Sequence, residues 1–350
     1  MTGFLHDTLL KWFATNRRDL PWRNQPSPYQ VWLSEVILQQ TRVSQGYDYY
    51  LRFIDRWPTV EALAQASEEE VLKMWQGLGY YSRARNLHHC AKQVVEQYGG
   101  QFPADYERLR QLKGIGDYTA AAIASIAFNL PHAVVDGNVY RVLARLFDIE
   151  TPININAGQQ LFARLADELL NREQPGLHNQ AIMEFGALHC TPQHPNCLYC
   201  PLQAQCLAFA HQTVVLRPVK QAKTKVTTRY FNYLLLRIGQ SVYLRKRSGN
   251  DIWKNLYDFP CIESDAPTTV EALTASEPFA QLLEGTAFTI TKVSPLYTHK
   301  LTHRTILAQF IEINLEEKLL QIETKGLFLT PESDLGKYPI PRLIDLYLNN

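Results

Sequence analysis

The spacing of apolar residues changes near residue 215, and this change divides the chain into two parts. Before that point, apolar side chains recur every three to four residues in segments separated by short breaks, as they do on the buried face of a helix. These segments predict helices over 1–13, 29–41, 59–66, 68–75, 81–98, 106–112, 118–128, 138–147, 157–170 and 180–188. The first two thirds of the chain should therefore be nearly all α-helical.

The remainder of the chain contains strand patterns. Segments 230–238 and 241–247 are separated by Gly239-Gln240, which predicts a β-hairpin, and 305–315 predicts a further strand, with helical stretches between and after. The stretch 217–229 holds five basic residues, no acid and one proline, which predicts an exposed linker. We expect a smaller α/β domain after that linker.

Composition and charge narrow the class of protein. A chain of 350 residues is long for one core, so two or three domains are expected. Thirty-five basic and thirty-four acidic residues leave almost no net field, which excludes a protein that coats nucleic acid by charge alone but permits local basic patches. The longest apolar run, 118–135, is interrupted by Asn129, Pro131 and His132, so no membrane span is expected.

Four cysteines lie within seventeen residues, at a spacing typical of a metal site. They are Cys190, Cys197, Cys200 and Cys206. Thiolates are the usual ligands of a [4Fe–4S] cluster, and one loop of this length can wrap such a core. A zinc site remains an alternative, although zinc sites usually show two separated C-x-x-C pairs and only Cys197 and Cys200 form one. Disulfides are not expected, because residues 1–13 show no signal-peptide pattern and the chain should be cytoplasmic.

The other two cysteines are isolated in the sequence. Cys90 and Cys261 have no cysteine neighbours at ligand spacing. They are expected to be small buried or partly buried residues.

A glycine pair marks a candidate DNA contact. In the segment Leu112-Lys113-Gly114-Ile115-Gly116-Asp117-Tyr118-Thr119-Ala120, Gly114 and Gly116 precede an alanine-rich helix. Such glycines allow a tight turn that points unpaired amides outward, where a DNA phosphate can bind at the positive end of the helix. A simple turn between two packed helices is the alternative. The position upstream of the cysteine loop favours the DNA-binding hairpin.

Further motifs complete a family resemblance. They are Leu20-Pro21-Trp22-Arg23, the segments 31–41 and 77–87, and Val135-Asp136-Gly137-Asn138-Val139. With the hairpin and the cysteines, they make the chain similar to the helix-hairpin-helix DNA glycosylases of the endonuclease III superfamily and, within it, to the adenine DNA glycosylase (MutY) family. The resemblance covers essentially the whole chain.

The resemblance implies a multidomain fold. An all-α helix-hairpin-helix glycosylase domain with an iron–sulfur loop should occupy residues 1–215. Within it we expect a six-helix module over about 24–130 and a cluster module over about 1–23 plus 131–215. A linker over 216–229 and an α/β Nudix-like domain over 230–350 should follow.

Two carboxylates are the candidate catalytic groups, since cleavage of a glycosidic bond needs an acid and a negative charge for the cationic sugar. Glu35 lies in an apolar helical run, where burial would raise its pKa. A helical Glu without that context is usually solvated. The resemblance implies that Glu35 protonates adenine at N7 and then activates water.

Asp136 directly precedes a predicted helix and is suited to cap it. The resemblance gives it a second role, stabilisation of the oxocarbenium ion, directly or through a covalent adduct with the sugar carbon. Asn138 would orient Asp136, and Tyr118 would form a hydrogen bond nearby. Tyr118 stands where lyases of the superfamily carry a Schiff-base lysine, and a phenol cannot form an imine. We therefore expect a monofunctional glycosylase.

The target base must leave the duplex before its glycosidic bond is accessible. By resemblance, Gln40 and Tyr81 would wedge into the vacated stack. The residues expected to line the adenine pocket are Trp22, Arg23, Leu38 and Gln180. For Tyr81 and Trp22 the simpler interpretation is an ordinary core aromatic.

The C-terminal part resembles the Nudix-like domain of this family through segments 242–247 and 253–260. A Nudix hydrolase needs an R-E-x-x-E-E helix to hold magnesium, and residues 261–285 contain no such motif, so the domain should bind without hydrolysing. The family recognises 8-oxoguanine through a Phe-Ser-His loop. The matching residues here are Leu301, Thr302 and His303.

The resemblance therefore implies a cytoplasmic, nucleoid-associated monomer that excises adenine opposite 8-oxoguanine or guanine in base excision repair. Its partner would be double-stranded DNA with an A:8-oxoguanine or A:G mispair, and its cofactor a [4Fe–4S] cluster. Two alternatives stay open. One is an endonuclease III-like thymine-glycol or mismatch glycosylase, and the other is a non-catalytic iron–sulfur DNA-binding scaffold.

Overall fold

The computed structural model describes residues 2–24, 26–222, 227–249, 251–301, 303–320 and 322–349. By internal contacts the chain divides into two units. The helical unit comprises Met1–Gln65 and Asn86–Ala222, and the sheet unit comprises Ala66–Arg85 and Lys223–Asn350. The segment Ala66–Arg85 thus groups with the C-terminal part of the chain, whereas the resemblance implied that it belongs to the six-helix module over about 24–130.

Helices account for most of the first 215 residues, which confirms the predicted α-helical glycosylase fold. In chain order they are α1 Thr2–Asn16, α2 Pro28–Leu38, α3 Val43–Arg56, α4 Val60–Gln65, α5 Glu68–Met74, α6 Ser82–Tyr98, α7 Tyr106–Gln111, α8 Asp117–Phe128, α9 Gly137–Leu146, α10 Asn156–Glu168, α11 Pro175–Leu188 and α12 Leu207–Ala210. The remaining described segments of this region are short 3₁₀ turns and loops.

Helix α3 was not among the predicted helices. Its buried residues Gly46, Tyr50 and Phe53 follow helical spacing, so the signal was present in the sequence. Helix α2 is shorter than predicted, because it ends at Leu38 and Gln40 adopts a left-handed backbone conformation with φ of 56°.

The core of the helical unit contains residues from the first helix of the chain and from the last long helices of this unit. Apolar residues of α1, α9, α10 and α11 pack into one cluster, whose large members include Leu5, Leu9, Phe13, Leu143, Phe162 and Phe185. Helix α9 packs against α11, which in turn packs against α1. Its first residues carry the candidate catalytic groups, and burial of its apolar face fixes where they point.

The prediction of an exposed linker was wrong at Arg217, whereas Lys220 and Gln221 are exposed as predicted. Arg217 is only 6% exposed and pairs with Asp148 and Glu150, each at 2.8 Å. The carbonyl of Val219 accepts a hydrogen bond of 3.0 Å from the amide of Ile153. A basic residue without acidic sequence neighbours can still be buried when the fold supplies the carboxylates.

The sheet unit is built on a mixed sheet. Its strands are β1 Thr227–Ile238, β2 Ser241–Lys246, β3 Tyr257–Asp258, β4 Cys261–Ser264, β5 Phe288–Val293, β6 Tyr297–Lys300, β7 Arg304–Leu315 and β8 Leu327–Pro331. The order β3-β2-β1-β7-β5 forms the main path, while β4 pairs with β1, β6 with β7 and β8 with β2. Strands β1 and β7 run parallel, and the other pairs are antiparallel. The predicted hairpin and the strand 305–315 are confirmed.

Three short helices accompany the sheet, α13 Val270–Thr274, α14 Glu277–Leu283 and α15 Arg342–Leu348. Apolar residues of the sheet pack against α13 and α14, including Leu236, Ile311, Leu273 and Phe279. The α/β Nudix-like fold predicted for this region is thus confirmed.

The segment Ala66–Arg85 attaches to the rest of the sheet unit by polar contacts. Gln76 donates to Asp345 at 3.1 Å, Tyr257 donates to Glu69 at 2.8 Å, and Arg85 donates to the carbonyl of Lys254 at 2.9 Å. The partners of the segment are residues 254, 257 and 345, all in the C-terminal part of the chain, which explains why the segment groups with this unit. Among the helices of the described ranges, none is long and apolar enough to cross a membrane.

Candidate active site

Glu35 and Tyr118 form a direct hydrogen bond. Ser27 caps α2 through a capping box with Gln30, and the helix then places Glu35 one turn before its end. The hydroxyl of Tyr118, in the first turn of α8, donates to Oε2 of Glu35 at 2.6 Å. The sulfur of Met183 lies 3.6 Å from the same hydroxyl. Residues far apart in sequence thus converge on one carboxylate.

Asp136 is the N-cap of α9, as predicted. Its Oδ1 accepts from the backbone amides of Asn138 and Val139 at 2.9 and 2.8 Å, and its Oδ2 accepts from the Asn138 side-chain amide at 2.7 Å. Three donors therefore hold the carboxylate in one orientation. Asn138, for which the resemblance implied an orienting role, is one of these donors.

The environment shifts the pKa of both carboxyls upward. Burial raises the pKa of Glu35 to about 7; the hydrogen bond from Tyr118 opposes this shift, the negative charge of Asp136 adds to it, and the positive charge of Arg23 opposes it. Burial also raises the pKa of Asp136, against its hydrogen bonds with Val139 and Asn138 and the charge of Arg141. Glu35 can therefore retain a proton near neutral pH.

A cavity of about 480 Å³ contains both carboxyl groups. Predicted site residues that line it are Trp22, Arg23, Glu35, Leu38, Gln40, Tyr118, Asp136 and Asn138. Gln180, also predicted, is not among the described residues that line this cavity. Met183, Glu184 and Ala187 line it from the later turns of α11 instead. Trp22 is buried and meets the ring of Tyr50 edge-on, with 5.0 Å between centroids.

An ion-pair cluster at the cavity wall was missed by the sequence analysis. Glu184 accepts from Nε, Nη2 and the backbone amide of Arg18, at 2.9, 2.6 and 2.9 Å. It also accepts from Nη1 and Nη2 of Arg23, both at 2.9 Å. The predicted pocket residue Arg23 is therefore held by Glu184. A charged residue within the apolar run of α11 was the signal available in the sequence.

Tyr81, for which the resemblance implied a wedge role, is buried in the structure. Tyr81 is only 2% exposed, and its hydroxyl donates to the carbonyl of Ile340 at 3.1 Å within the sheet unit. The preceding residue, Tyr80, is 46% exposed and has a left-handed backbone with φ of 49°. Successive side chains leave the backbone in different directions, and the sequence alone did not distinguish the two tyrosines.

The two glycines predicted to bind DNA phosphate have different backbone conformations. Gly114 has φ of 80°, and a Cβ there would lie 2.7 Å from Cβ of Asn86. Gly116 precedes α8 as its N-cap with extended backbone, and no side chain caps the helix. Amides at the start of α8 are therefore not satisfied by a capping side chain.

The four cysteines of the predicted cluster line one small cavity at the end of α11. Nη1 of Arg145 lies 3.4 Å from Sγ of Cys190, and Sγ of Cys206 donates to the carbonyl of Arg145 at 3.4 Å. In the part of the chain that is described, no three or more His, Cys, Asp or Glu side chains are arranged to hold a single metal ion. The four cysteines thus share one cavity.

Arg141 connects the cysteine loop to the residues around Asp136. Its Nε donates to the carbonyl of Cys190 at 2.7 Å, and its Nη2 donates to Oδ1 of Asn138 at 2.9 Å. Asn138 in turn donates to Asp136. A chain of hydrogen bonds along α9 therefore links the cysteine loop to the candidate catalytic carboxylate.

Of the residues predicted to recognise the lesion, Leu301 and His303 lie between β6 and β7. Leu301 donates its amide to the carbonyl of Arg304 at 2.7 Å, and His303 is exposed. Thr302 lies outside the described residues. The isolated cysteines behave as expected, since Cys90 is buried and Cys261 is partly buried.

Comparisons with known proteins cover both parts of the chain. Residues 33–165 match the family model of the HhH-GPD superfamily base excision DNA repair proteins, and residues 232–350 match the NUDIX domain model. The structure of a thermostable thymine-DNA glycosylase is similar, with a TM-score of 0.56 and 29% identity over 60% of this chain and 97% of that chain.

A curated adenine DNA glycosylase of Buchnera aphidicola subsp. Baizongia pistaciae is 36% identical over 262 residues, which are 74% of this chain and 74% of the relative. The chain belongs to the adenine DNA glycosylase family. The mouse member of the family is 49% identical over 219 residues, covering 60% of this chain. The aligned region spans only 42% of the mouse protein's length, so the chain corresponds to part of that relative.

Proposed function

We propose that this member of the adenine DNA glycosylase family excises adenine mispaired with 8-oxoguanine or guanine in double-stranded DNA. The observation that carries the proposal is a cavity that contains two carboxyl groups. Glu35 accepts a hydrogen bond from Tyr118, and the carboxylate of Asp136 accepts three hydrogen bonds. One group is suited to give a proton, and the other to hold negative charge. Monofunctional hydrolysis fits this pair.

The proposed reaction begins after the adenine nucleotide has left the stack. Glu35 gives its proton to N7 of adenine, the bond between N9 and C1′ breaks, and its electron pair leaves with the base. The anionic Asp136 stabilises the cationic sugar, either directly or through a transient bond to C1′. Water then adds to C1′, and its proton passes to the Glu35 carboxylate. Tyr118 supports Glu35 and offers no amine for strand cleavage.

The side chains around the cavity suggest how the base is held. Trp22 and Leu38 provide apolar surface, while Arg23 and Met183 lie on neighbouring parts of the wall. Gln40 is exposed and lines the cavity, and its own backbone has a left-handed conformation. A non-glycine residue keeps this conformation only where its surroundings enforce it. We propose Gln40 as a wedge, and Tyr80 in place of Tyr81 as the exposed aromatic that stacks on DNA.

The cysteine loop is proposed to hold a [4Fe–4S] cluster. In such a cluster each thiolate binds a different iron, so the sulfurs surround a core. Zinc would need all four within about 2.3 Å of one ion. The shared cavity shows that the four cysteines lie together, and their spacing, with a single C-x-x-C pair, supports the cluster over zinc. The cluster would supply a structural cross-link between the end of α11 and the loop that follows.

The Nudix-like domain is proposed to recognise 8-oxoguanine opposite the adenine. His303 is exposed in the turn before β7, and Thr302 precedes it in the sequence. A histidine and a hydroxyl can both pair with the polar atoms that distinguish 8-oxoguanine from guanine. We further propose that the protein acts as a monomer and that the boundary between the domains lies within residues 216–229.

A base-release assay under single-turnover conditions tests the function. Duplexes should contain adenine opposite 8-oxoguanine, guanine, cytosine or thymine, together with thymine glycol and thymine opposite guanine. We expect free adenine from the first two duplexes and no strand cleavage without added base. Release of thymine or its glycol would favour the endonuclease III-like alternative, and binding without any release would favour the scaffold.

A further inference from the structure

The ion-pair cluster at the cavity wall has a charge arrangement that the proposed chemistry leaves unexplained. Glu184 is 1% exposed, and two arginines of the segment before α2 surround it. Five N–H groups of Arg18 and Arg23 donate to its two oxygens. A carboxylate this deeply buried is tolerated only when its charge is paired and its oxygens are bonded.

Glu184 is ionised whenever the protein is folded near neutral pH. Burial opposes ionisation, but the bonds from Arg18 and Arg23 outweigh it and lower the pKa of Glu184 to about 2. The two positive charges of Arg18 and Arg23 and the one negative charge of Glu184 thus give the cluster a net charge of +1. All three side chains line the cavity that also contains Glu35.

The charged and titratable groups that act on Glu35 come from three elements. Tyr118 acts from α8, Asp136 from the residue that caps α9, and Arg23 from the 3₁₀ turn Pro21–Arg23. Tyr118 and Arg23 favour the ionised form of Glu35, whereas Asp136 and burial favour the protonated form. How strongly Arg23 lowers the pKa of Glu35 depends on how fully Glu184 neutralises the charge of Arg23.

We propose that Glu184 is a positioning residue, which holds Arg18 and Arg23 against α11 and neutralises one of their two charges, so that Glu35 keeps its proton in the working enzyme. The use of that proton for base release rests on the proposed function. The charge relation between Glu184, Arg23 and Glu35 stands without it. Arg23 is thereby prevented from becoming an unpaired cation beside the acid.

The titration of Glu35 tests the proposal directly. The full-length holoprotein is labelled with ¹³C at the Glu side-chain carboxyl carbon, and the Glu35 signal is assigned by its absence in Glu35→Gln. Glu184→Gln keeps the size of the side chain and removes its charge. We expect the midpoint of the Glu35 titration to fall by about one pH unit, as for a carboxyl that gains an unpaired cation.

The rate of base release provides the second measurement. If the midpoint falls by about one unit, the protonated fraction of Glu35 above both midpoints falls about tenfold. The descending limb of the pH–rate profile of Glu184→Gln should therefore move to lower pH by the same amount. A residue with only a structural role would lower the rate at every pH and leave the midpoint in place.

Matched variants separate charge from packing. Arg18→Gln leaves Arg23 and Glu184 as a neutral pair, so the Glu35 midpoint should not fall. Arg23→Gln should raise the midpoint, and it remains informative if Glu184→Gln does not fold. In the double variant Glu184→Gln/Arg23→Gln, the midpoint should return to the wild-type value or exceed it.

An unchanged midpoint in folded Glu184→Gln, or no rise in Arg23→Gln, would overturn the proposal. If the wild-type protein releases no adenine but the titrations shift as expected, the proposed function fails while the charge relation holds. If adenine is released and the midpoints do not move, the charge relation fails while the proposed function holds. The two proposals are thus tested separately.

Discussion

At the residue scale, Glu35 is the side chain on which the proposed chemistry depends most. Glu35→Gln preserves size and hydrogen bonding but cannot donate the required proton. We expect adenine release to fall at least about a hundredfold, the lower end of a general acid's contribution. Binding of the mispaired duplex should persist. The measurements are single-turnover base release and an equilibrium binding titration.

A matched control is available on α10. Glu168→Gln makes the same chemical change at an exposed position and should leave the release rate near that of the wild type. Retained turnover in Glu35→Gln would mean that another group supplies the proton.

The raised pKa of Glu35 also predicts how stability varies with pH. The pKa is about 7 in the folded protein against an ordinary value of 4.5, so the folded state binds the proton more tightly than the unfolded state. The wild-type protein should lose stability as pH rises from about 4.5 through about 7, by up to about 3 kcal/mol. Glu35→Gln does not titrate and should not lose this contribution.

Thermal unfolding midpoints at pH 5 and pH 8 measure this difference. The midpoint of Glu35→Gln minus that of the wild type should increase with pH, because the contributions of groups that do not interact with Glu35 cancel in the comparison. A difference that stays constant from pH 5 to pH 8 would contradict a raised pKa.

At the element scale, the hairpin before α8 combines a glycine with a left-handed backbone, Gly114, and a glycine with an extended backbone, Gly116. Gly114→Ala places a side chain on a residue with φ of 80° and a Cβ 2.7 Å from Asn86. We expect a loss of stability of roughly 1–3 kcal/mol and weaker DNA binding, because the turn that presents the amides must shift. Chemical denaturation and a DNA-binding titration give the two quantities.

Gly116→Ala is the control within the same turn. Its backbone is extended, and a Cβ there meets nothing within 4 Å, so the folded protein should tolerate it with a loss of about 0.5 kcal/mol for the weaker N-cap. Equal losses of stability in the two variants would show that backbone conformation is not the deciding factor.

At the scale of the whole molecule, the first prediction concerns the cysteine loop. Anaerobically purified protein should be brown, absorb broadly near about 400 nm and contain about four irons per chain. Cys200→Ser should lower the iron content and, through Arg141 and Asn138, the rate of adenine release. Zinc at one ion per chain, with no iron, would exclude the cluster.

The second prediction at this scale concerns recognition of the lesion. Replacement of Thr302 and His303 by alanine should reduce the preference for 8-oxoguanine over guanine by roughly ten- to hundredfold, the effect of about 1–3 kcal/mol for a lost polar partner. Basal release of adenine opposite guanine should continue. Thr289→Ala combined with His89→Ala, both exposed positions, is the matched control.

Point variants are preferable here to deletion of the C-terminal region. Gln76 and Tyr81 of the segment Ala66–Arg85 form hydrogen bonds with Asp345 and Ile340, so deletion would also remove the partners of this segment. A preference that survives both alanine substitutions would place lesion recognition elsewhere, with Gln40 as the next candidate.

Features that depend on short stretches of chain were accessible from the sequence. Helical periodicity predicted most of the helices, and the cysteine spacing identified the loop whose four cysteines share one cavity. The apolar run around Glu35 indicated a raised pKa, and the residue pattern after Asp136 indicated a helix cap. Each of these properties arises from residues within one or two turns of each other, so the pattern along the chain contains the information.

Contacts between distant residues required the tertiary structure. The Glu184 cluster joins residues more than 160 positions apart, and the parallel pairing of β1 with β7 joins segments separated by the rest of the domain. The choice between Tyr80 and Tyr81 as the exposed ring depends on packing against the sheet unit, and the burial of Arg217 depends on Asp148 and Glu150. Periodicity states which face of an element is apolar, but only the packed fold decides which distant charge that face meets.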